Sequence, residues 1–135
     1  VIQNYADVPS IGNYSLGQYK ANLKPAQRAD YYRGVVIFMS RYFAEQSHQF
    51  EVAKYDIGEA RADNNKDVVV PSRVYLTNGQ TYNVEWHLHW VGGRYRVTDV
   101  KVLGFSLTYL QRGLFTAFIS KRKGDVSQLV AALIR

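Results

Sequence analysis

The stretch Thr81–Leu107 constrains this chain more than any other. From Thr81 to Trp90 it alternates without a break: Tyr82, Val84, Trp86, Leu88 and Trp90 fall on one side, Thr81, Asn83, Glu85, His87 and His89 on the other. Successive side chains of a strand point to opposite faces, so the pattern predicts a strand with one apolar and one wet surface. Gly92-Gly93 supplies the positive φ of a tight hairpin, and RYRVTDVKV returns as its partner. Along that return the apolar positions change parity, from Tyr95 and Val97 to Val100 and Val102. The change predicts a bulge near Thr98-Asp99, and bulges bend sheets.

The remaining elements follow from periodicity and punctuation. Asp7 and Pro9 start a first helix that Gly17 stops, with Val8, Ile11, Tyr14 or Ser15, and Tyr19 on its inner face; the residues before Asp7 read as the tail of an earlier helix. Lys24-Pro25 opens the longest helix, running to about Ser47 and so roughly 33 Å long. Its apolar stripe holds Tyr31, Tyr32, Val35, Val36, Phe38, Met39, Tyr42 and Phe43, with Gly34 an exception on the opposite face. Phe50–Ala60 is a first strand and Val68–Thr77 a second, interrupted by Pro71, which belongs at an edge or bulge because it cannot donate to a ladder. Asn78-Gly79 joins the second strand to the third. After Gly104 the period changes to 3.6: Ser106 caps a helix carrying Leu107, Leu110, Leu114, Phe115, Phe118 and Ile119, and Asp125 caps a last short one. The expected fold is α+β: a bent four-stranded antiparallel meander with the helices packed on one face. A long helix crossing such a sheet encloses an apolar cavity.

Composition narrows the function. A chain of 135 residues makes one domain, 1–135, with 47% hydrophobic residues and an unusual 11 tyrosines. No cysteine is present, which removes disulfides and thiolate chemistry. The net charge of +6 comes from 17 Lys and Arg spread along the whole chain, with Lys121-Arg122-Lys123 the only cluster, at a helix end where cations suit the macrodipole. That dispersion argues against nucleic acid as a partner. The first residue is Val1 rather than Met, so the chain reads as cut from something longer.

The passage YRVTDVKVLGFSLTYLQRGLFTAFISKRKGDVSQLVAAL closely resembles the C-terminal signature of the toluene-tolerance family of lipid carriers. The matching positions are Tyr95, Val97, Asp99, Val100, Val102, Gly104 and Ser106 in the last strand and turn, then Arg112 and Phe115, and Asp125-Val126, Leu129-Val130 and Leu133 at the close. Upstream, Leu16-Gly17, Tyr19, Pro25, Gln27, Tyr31 and Tyr42 are similar to the family's N-terminal pattern. Two positions depart from it: Lys20 and Tyr95 stand where the family usually has Trp. The resemblance also implies helices before Val1 that the sequence as given does not include.

The resemblance implies a periplasmic carrier that shuttles a phospholipid between the inner and outer membranes. Its partners would be an inner-membrane ABC-type complex and an outer-membrane lipoprotein complex. Contacts with the membrane complexes would be transient, and the carrier is expected to be a monomer without a cofactor. A hopanoid or other polycyclic lipid is the alternative cargo. The residues expected to line the lipid site are Tyr14, Met39, Phe43, Val84, Trp86, Leu88, Leu110 and Phe118.

Two other readings compete. Cone-shaped α+β folds also host isomerases and dehydratases, and Asp99 is the best candidate for their carboxylate; a strand-end carboxylate accepting backbone N–H bonds is the plainer account. Glu85, His87 and His89 share a face, and His-x-His along a strand can chelate a metal. That face lies opposite Trp86, where polar residues are what a solvated sheet surface requires, so neither a catalytic residue nor a metal ligand is expected.

Overall fold

The computed structural model describes residues 2–135. Val1, taken above as part of a helix tail, lies outside the described residues. Helices α1 (Ile2–Tyr5) and α2 (Val8–Ser15) come first. Asp7 caps α2 as expected, its carboxylate accepting from the Ser10 amide at 3.3 Å, and Gly17 ends the segment with φ +53°. Two 3₁₀ turns, Gly17–Asn22 and Pro25–Gln27, lead into α3 (Arg28–Ser47). Pro25 therefore opens the approach to the long helix rather than its first turn.

Among the described residues the sheet has six antiparallel strands, not four. The meander consists of β1 (Val52–Ile57), β3 (Asp67–Leu76), β4 (Thr81–Val91) and β5 (Arg94–Val102), with two additional strands of two residues, β2 (Arg61–Ala62) and β6 (Phe105–Ser106). Pro71 explains β2. Ser72–Leu76 of β3 pair with β1, and Val68 and Val69 pair with β2, so the edge strand is broken opposite the residue that has no N–H. Gly58 crosses the break, its amide donating to the Pro71 carbonyl at 2.9 Å. Leu103-Gly104 explains β6: left-handed φ values of 53° and 84° fold Phe105-Ser106 back onto Val102 and Lys101. The β4–β5 hairpin turns at Gly92-Gly93, and its register slips by one at Thr98, between the pairs His87–Asp99 and Leu88–Val97. The bulge is therefore where the parity change put it.

The chain closes with α4 (Leu107–Ser120) and α5 (Val126–Leu133), capped by Ser106 and Asp125. The buried core is built almost wholly within the helix layer: Val8, Ile11, Leu16, Tyr31, Val35, Phe115, Ile119 and Val126 meet there. Helix α3 packs against α1, α2 and α5, whereas the sheet meets the helices mainly through β5, which α1, α2 and α4 approach, and through β6 beside α4. The Asp7 amide fastens the layers by donating to the Val97 carbonyl at 2.8 Å.

Gly34, an unexplained exception in the α3 stripe, is explained by α5. A Cβ on Gly34 would lie 2.6 Å from Leu133 Cβ and 3.3 Å from Ile134 Cγ2. The absent side chain is what lets α3 and α5 approach. Gly34→Ala gains about 1 kcal/mol of helix propensity, but overpacking at such a contact costs about 1–3 kcal/mol. A denaturant melt is expected to show a net loss of stability, and an unchanged or raised midpoint would contradict this packing.

Candidate functional site

Between α3 and the concave face of the sheet lies an apolar hollow in two adjoining parts that share lining residues, about 230 Å³ and about 470 Å³. Tyr42 and Phe43 from α3, Trp86 from β4, Val100 from β5 and Leu107 from α4 border both. The first part extends toward α1 and α2, past Tyr5, Met39, Val97, Leu110 and Leu114. The second extends toward the C-terminal end of α3, past Phe50, Val74, Val84 and Val102. Large apolar side chains around it stay half in solvent, including Phe43 (44% exposed), Trp86 (39%), Leu110 (48%) and Leu114 (57%). Exposure of contiguous apolar surface of that kind marks a binding site rather than a finished core.

Of the eight residues expected to line a lipid site, the structure brings Met39, Phe43, Val84, Trp86 and Leu110 to this hollow. Three stand elsewhere. Tyr14 is on the outer side of α2, 41% exposed, with the Arg112 guanidinium 4.9 Å above its ring. Ser15 takes the inner position instead, because its hydroxyl can close onto the Ile11 carbonyl at 2.7 Å. Phe118 packs on the helix core beneath Arg122, and Leu88 sits beyond the bulge, paired with Val68 and Val97. Other residues line the hollow without having been expected there: Tyr42, Leu107 and Leu114, which the stripes of α3 and α4 already contained, and Val100 of β5 among them. In α4 the apolar stripe serves two surfaces: Phe115 and Ile119 enter the helix core, while Leu107, Leu110 and Leu114 turn to the hollow.

Several polar groups of the wall are already occupied. Asp99 accepts from the amides of Val100 at 2.8 Å and Thr108 at 3.1 Å, and from the Ser106 hydroxyl. Its carboxylate thus ties the bulge of β5 to the first turn of α4. Gln111, buried, donates to Ser15 Oγ at 2.9 Å. The Trp86 indole donates to Ser72 Oγ at 3.0 Å, and that hydroxyl donates to the Val84 carbonyl at 2.9 Å, so the ring is held in one orientation. In the helix core, burial and the neighbouring Tyr32 push the Tyr31 hydroxyl far above its ordinary pKa; it donates to the Gly12 carbonyl. None of these groups is arranged as a nucleophile beside a base.

The convex face carries Glu85, His87 and His89, as the alternation requires. They separate into two pairs: His87 Nε2 is 3.3 Å from Glu85, which Arg61 also approaches at 3.6 Å, and His89 Nδ1 is 2.6 Å from Asp67. Among the described residues no three such side chains gather as a metal site. Valine is also present on this face, since Val69, opposite His87, is only 1% exposed.

No curated protein matches the chain. The model of a protein family described as MlaC protein matches residues 1–135. The chain belongs to the MlaC protein family. Membership of that family places it among lipid-binding carriers rather than enzymes. This MlaC-family chain also shares its fold with a solved structure from Ralstonia solanacearum, a phospholipid-binding protein in complex with a phospholipid. The two superpose with a TM-score of 0.77 at 22% identity, over 98% of this chain and 75% of the other. Among the described residues no helix is long and apolar enough to cross a membrane.

Asp67 gives this MlaC-family chain a defined response to acid. Hydrogen bonds from Asn64 and then His89 hold the Asp67 carboxyl below its ordinary pKa. A carboxyl lowered on folding stabilises the fold above its unfolded pKa, about 4, and the contribution is lost as pH falls through the lowered folded value. Thermal melts over that acid range are expected to fall less steeply for Asp67→Asn than for wild type. Identical acid limbs would contradict the Asp67 network.

Proposed function

We propose that this chain is a phospholipid carrier that takes the acyl tails into the hollow between α3 and the sheet and leaves the headgroup in solvent. The observation that carries the proposal is the hollow itself: a broad surface of valine, leucine and aromatic side chains, open at its rim, where Trp86, Asp99 and Gln111 already have hydrogen-bond partners in the protein. The phospholipid bound to the Ralstonia solanacearum structure supports the same reading. A diacyl lipid has on the order of 30 methylenes, and exposing them to water at about 0.8 kcal/mol each costs roughly 25 kcal/mol. A carrier must therefore cover the tails, while a charged headgroup is best left hydrated. Among the described residues no Lys, Arg or His lines either part of the hollow, which suits a site that grips hydrocarbon.

In this reading the chain works in the periplasm and exchanges its lipid with an inner-membrane ABC-type complex and an outer-membrane lipoprotein complex. The rim residues Tyr5, Leu110 and Leu114, all more than two-fifths exposed, lie where a lipid passes in and out. Organic extracts of gently purified protein, analysed by mass spectrometry, are expected to contain phospholipid at a near-equimolar ratio. Extracts free of lipid, from protein shown to be folded, would overturn the proposal. Extracts dominated by a polycyclic lipid would overturn the choice of cargo.

A further inference from the structure

We propose that the helix layer carries a docking surface for an anionic membrane, built where the 3₁₀ turns after α2 meet the end of α4. The net charge of +6 is not shared between the two layers. Residues 50–106, which contain the whole sheet, have seven Lys and Arg and seven Asp and Glu. Residues 1–49 and 107–135 have ten and four, so the entire excess stands on the helix side. Three of those four acids are engaged: Asp7 is buried in its cap, Asp125 accepts from the Ser127 amide at 3.0 Å, and Asp30 pairs with Arg33 at 3.3 Å.

The fold gathers cations that are far apart in sequence. Asn22 donates to the Gly124 carbonyl at 3.0 Å and Gln27 to the Ser127 hydroxyl at 2.7 Å, which ties the segment of Lys20 and Lys24 to that of Lys121 and Lys123. All four lysines are exposed. Two arginines flank them with their guanidinium groups laid on aromatic rings, Arg112 4.9 Å from the centre of Tyr14 and Arg122 3.5 Å from that of Phe118. Gly17 faces Arg112 so closely that a Cβ there would lie 3.1 Å from its Nε. None of the six forms an ion pair among the described residues. Neither part of the hollow nor the cleft beside Pro71 includes any of them. Cations arranged around no pocket respond to charge density rather than to a shaped group. A bilayer containing anionic phospholipid presents that density over a broad area, and each Lys or Arg brought near it strengthens attachment roughly fivefold. The attraction fades within a Debye length, about 8 Å at physiological ionic strength, so the lysines must stand at the surface, as they do.

Co-sedimentation of the purified protein with vesicles tests the patch. At low ionic strength the wild type is expected to pellet with phosphatidylcholine vesicles that contain phosphatidylglycerol and to stay in solution with phosphatidylcholine alone. Release is expected near 1 M salt, where the Debye length is about 3 Å. Lys20→Glu combined with Lys121→Glu is expected to weaken the attachment on the order of tenfold or more. Lys66→Glu combined with Arg94→Glu changes the net charge equally but on the sheet, and is expected to pellet like the wild type. Wild-type protein that stays in solution with the phosphatidylglycerol vesicles would overturn the proposal and leave the patch to an acidic protein surface. Equal pelleting with phosphatidylcholine alone would overturn it too, and neither result needs a variant to fold. Equal weakening by both double variants, with folding verified by their melts, would assign the binding to net charge rather than to the patch and would likewise overturn it. None of these outcomes depends on what the hollow holds.

Discussion

The helices of this protein satisfy one another, and the sheet is left over. Their buried residues, from Val8 and Ile11 through Tyr31 and Val35 to Phe115 and Val126, form a cluster that contains no strand residue. The sheet has the opposite character: its concave face carries Val74, Val84, Trp86, Val100 and Val102, yet the helix layer reaches it mainly along β5. A bent sheet whose apolar face is touched along one strand must leave a space over the others. In an ordinary α+β domain that space would be filled by side chains at close-packed density. Here large wall residues such as Phe43, Trp86, Leu110 and Leu114 remain about half exposed, and that difference separates a container from a core.

Keeping the hollow open requires that the layers be joined firmly somewhere else. The joint is the bulge of β5. There the Asp7 amide bonds to the Val97 carbonyl, and the Asp99 carboxylate holds the first turn of α4 through Thr108 and Ser106. A charged acceptor shared among two backbone amides and a hydroxyl makes a stronger tie than neutral hydrogen bonds. This also accounts for an acidic residue at the wall of an apolar site without assigning it chemistry. Fixed there, α4 can present Phe115 and Ile119 to the helices and Leu107, Leu110 and Leu114 to the hollow.

Much of this was legible in the residues. Strict alternation over Tyr82–Trp90, the Gly92-Gly93 turn and the parity change after Val97 specified the hairpin and its bulge, because the period of a strand leaves no freedom in which face a side chain takes. Asp7, Ser106 and Asp125 marked their helices for an equally local reason. What was not legible was non-local. Pro71 signalled an edge or bulge, but only the pairing across β3 shows that it splits the first strand in two. Gly34 looked like a defect until Leu133 arrived from the other end of the chain. A helical stripe records that residues are apolar, not which of two surfaces they face, so Leu114 and Phe118 could not be told apart by spacing. Tyr14 and Ser15 posed the same problem, and a hydroxyl able to close onto its own helix took the inside. Val69 shows the converse, an apolar residue buried on the face that alternation reads as wet.

The central claim is that the space between α3 and the sheet is a container. It is tested most directly at Val100, which borders both parts of the hollow. Val100→Trp adds a ring inside that space, and the measurement is a denaturant melt of lipid-free protein beside a phospholipid-loading assay. The account predicts that loading is lost while the melt stays close to wild type, because the ring enters open volume. A melt lowered by the roughly 1–3 kcal/mol that overpacking a solid core costs would contradict it.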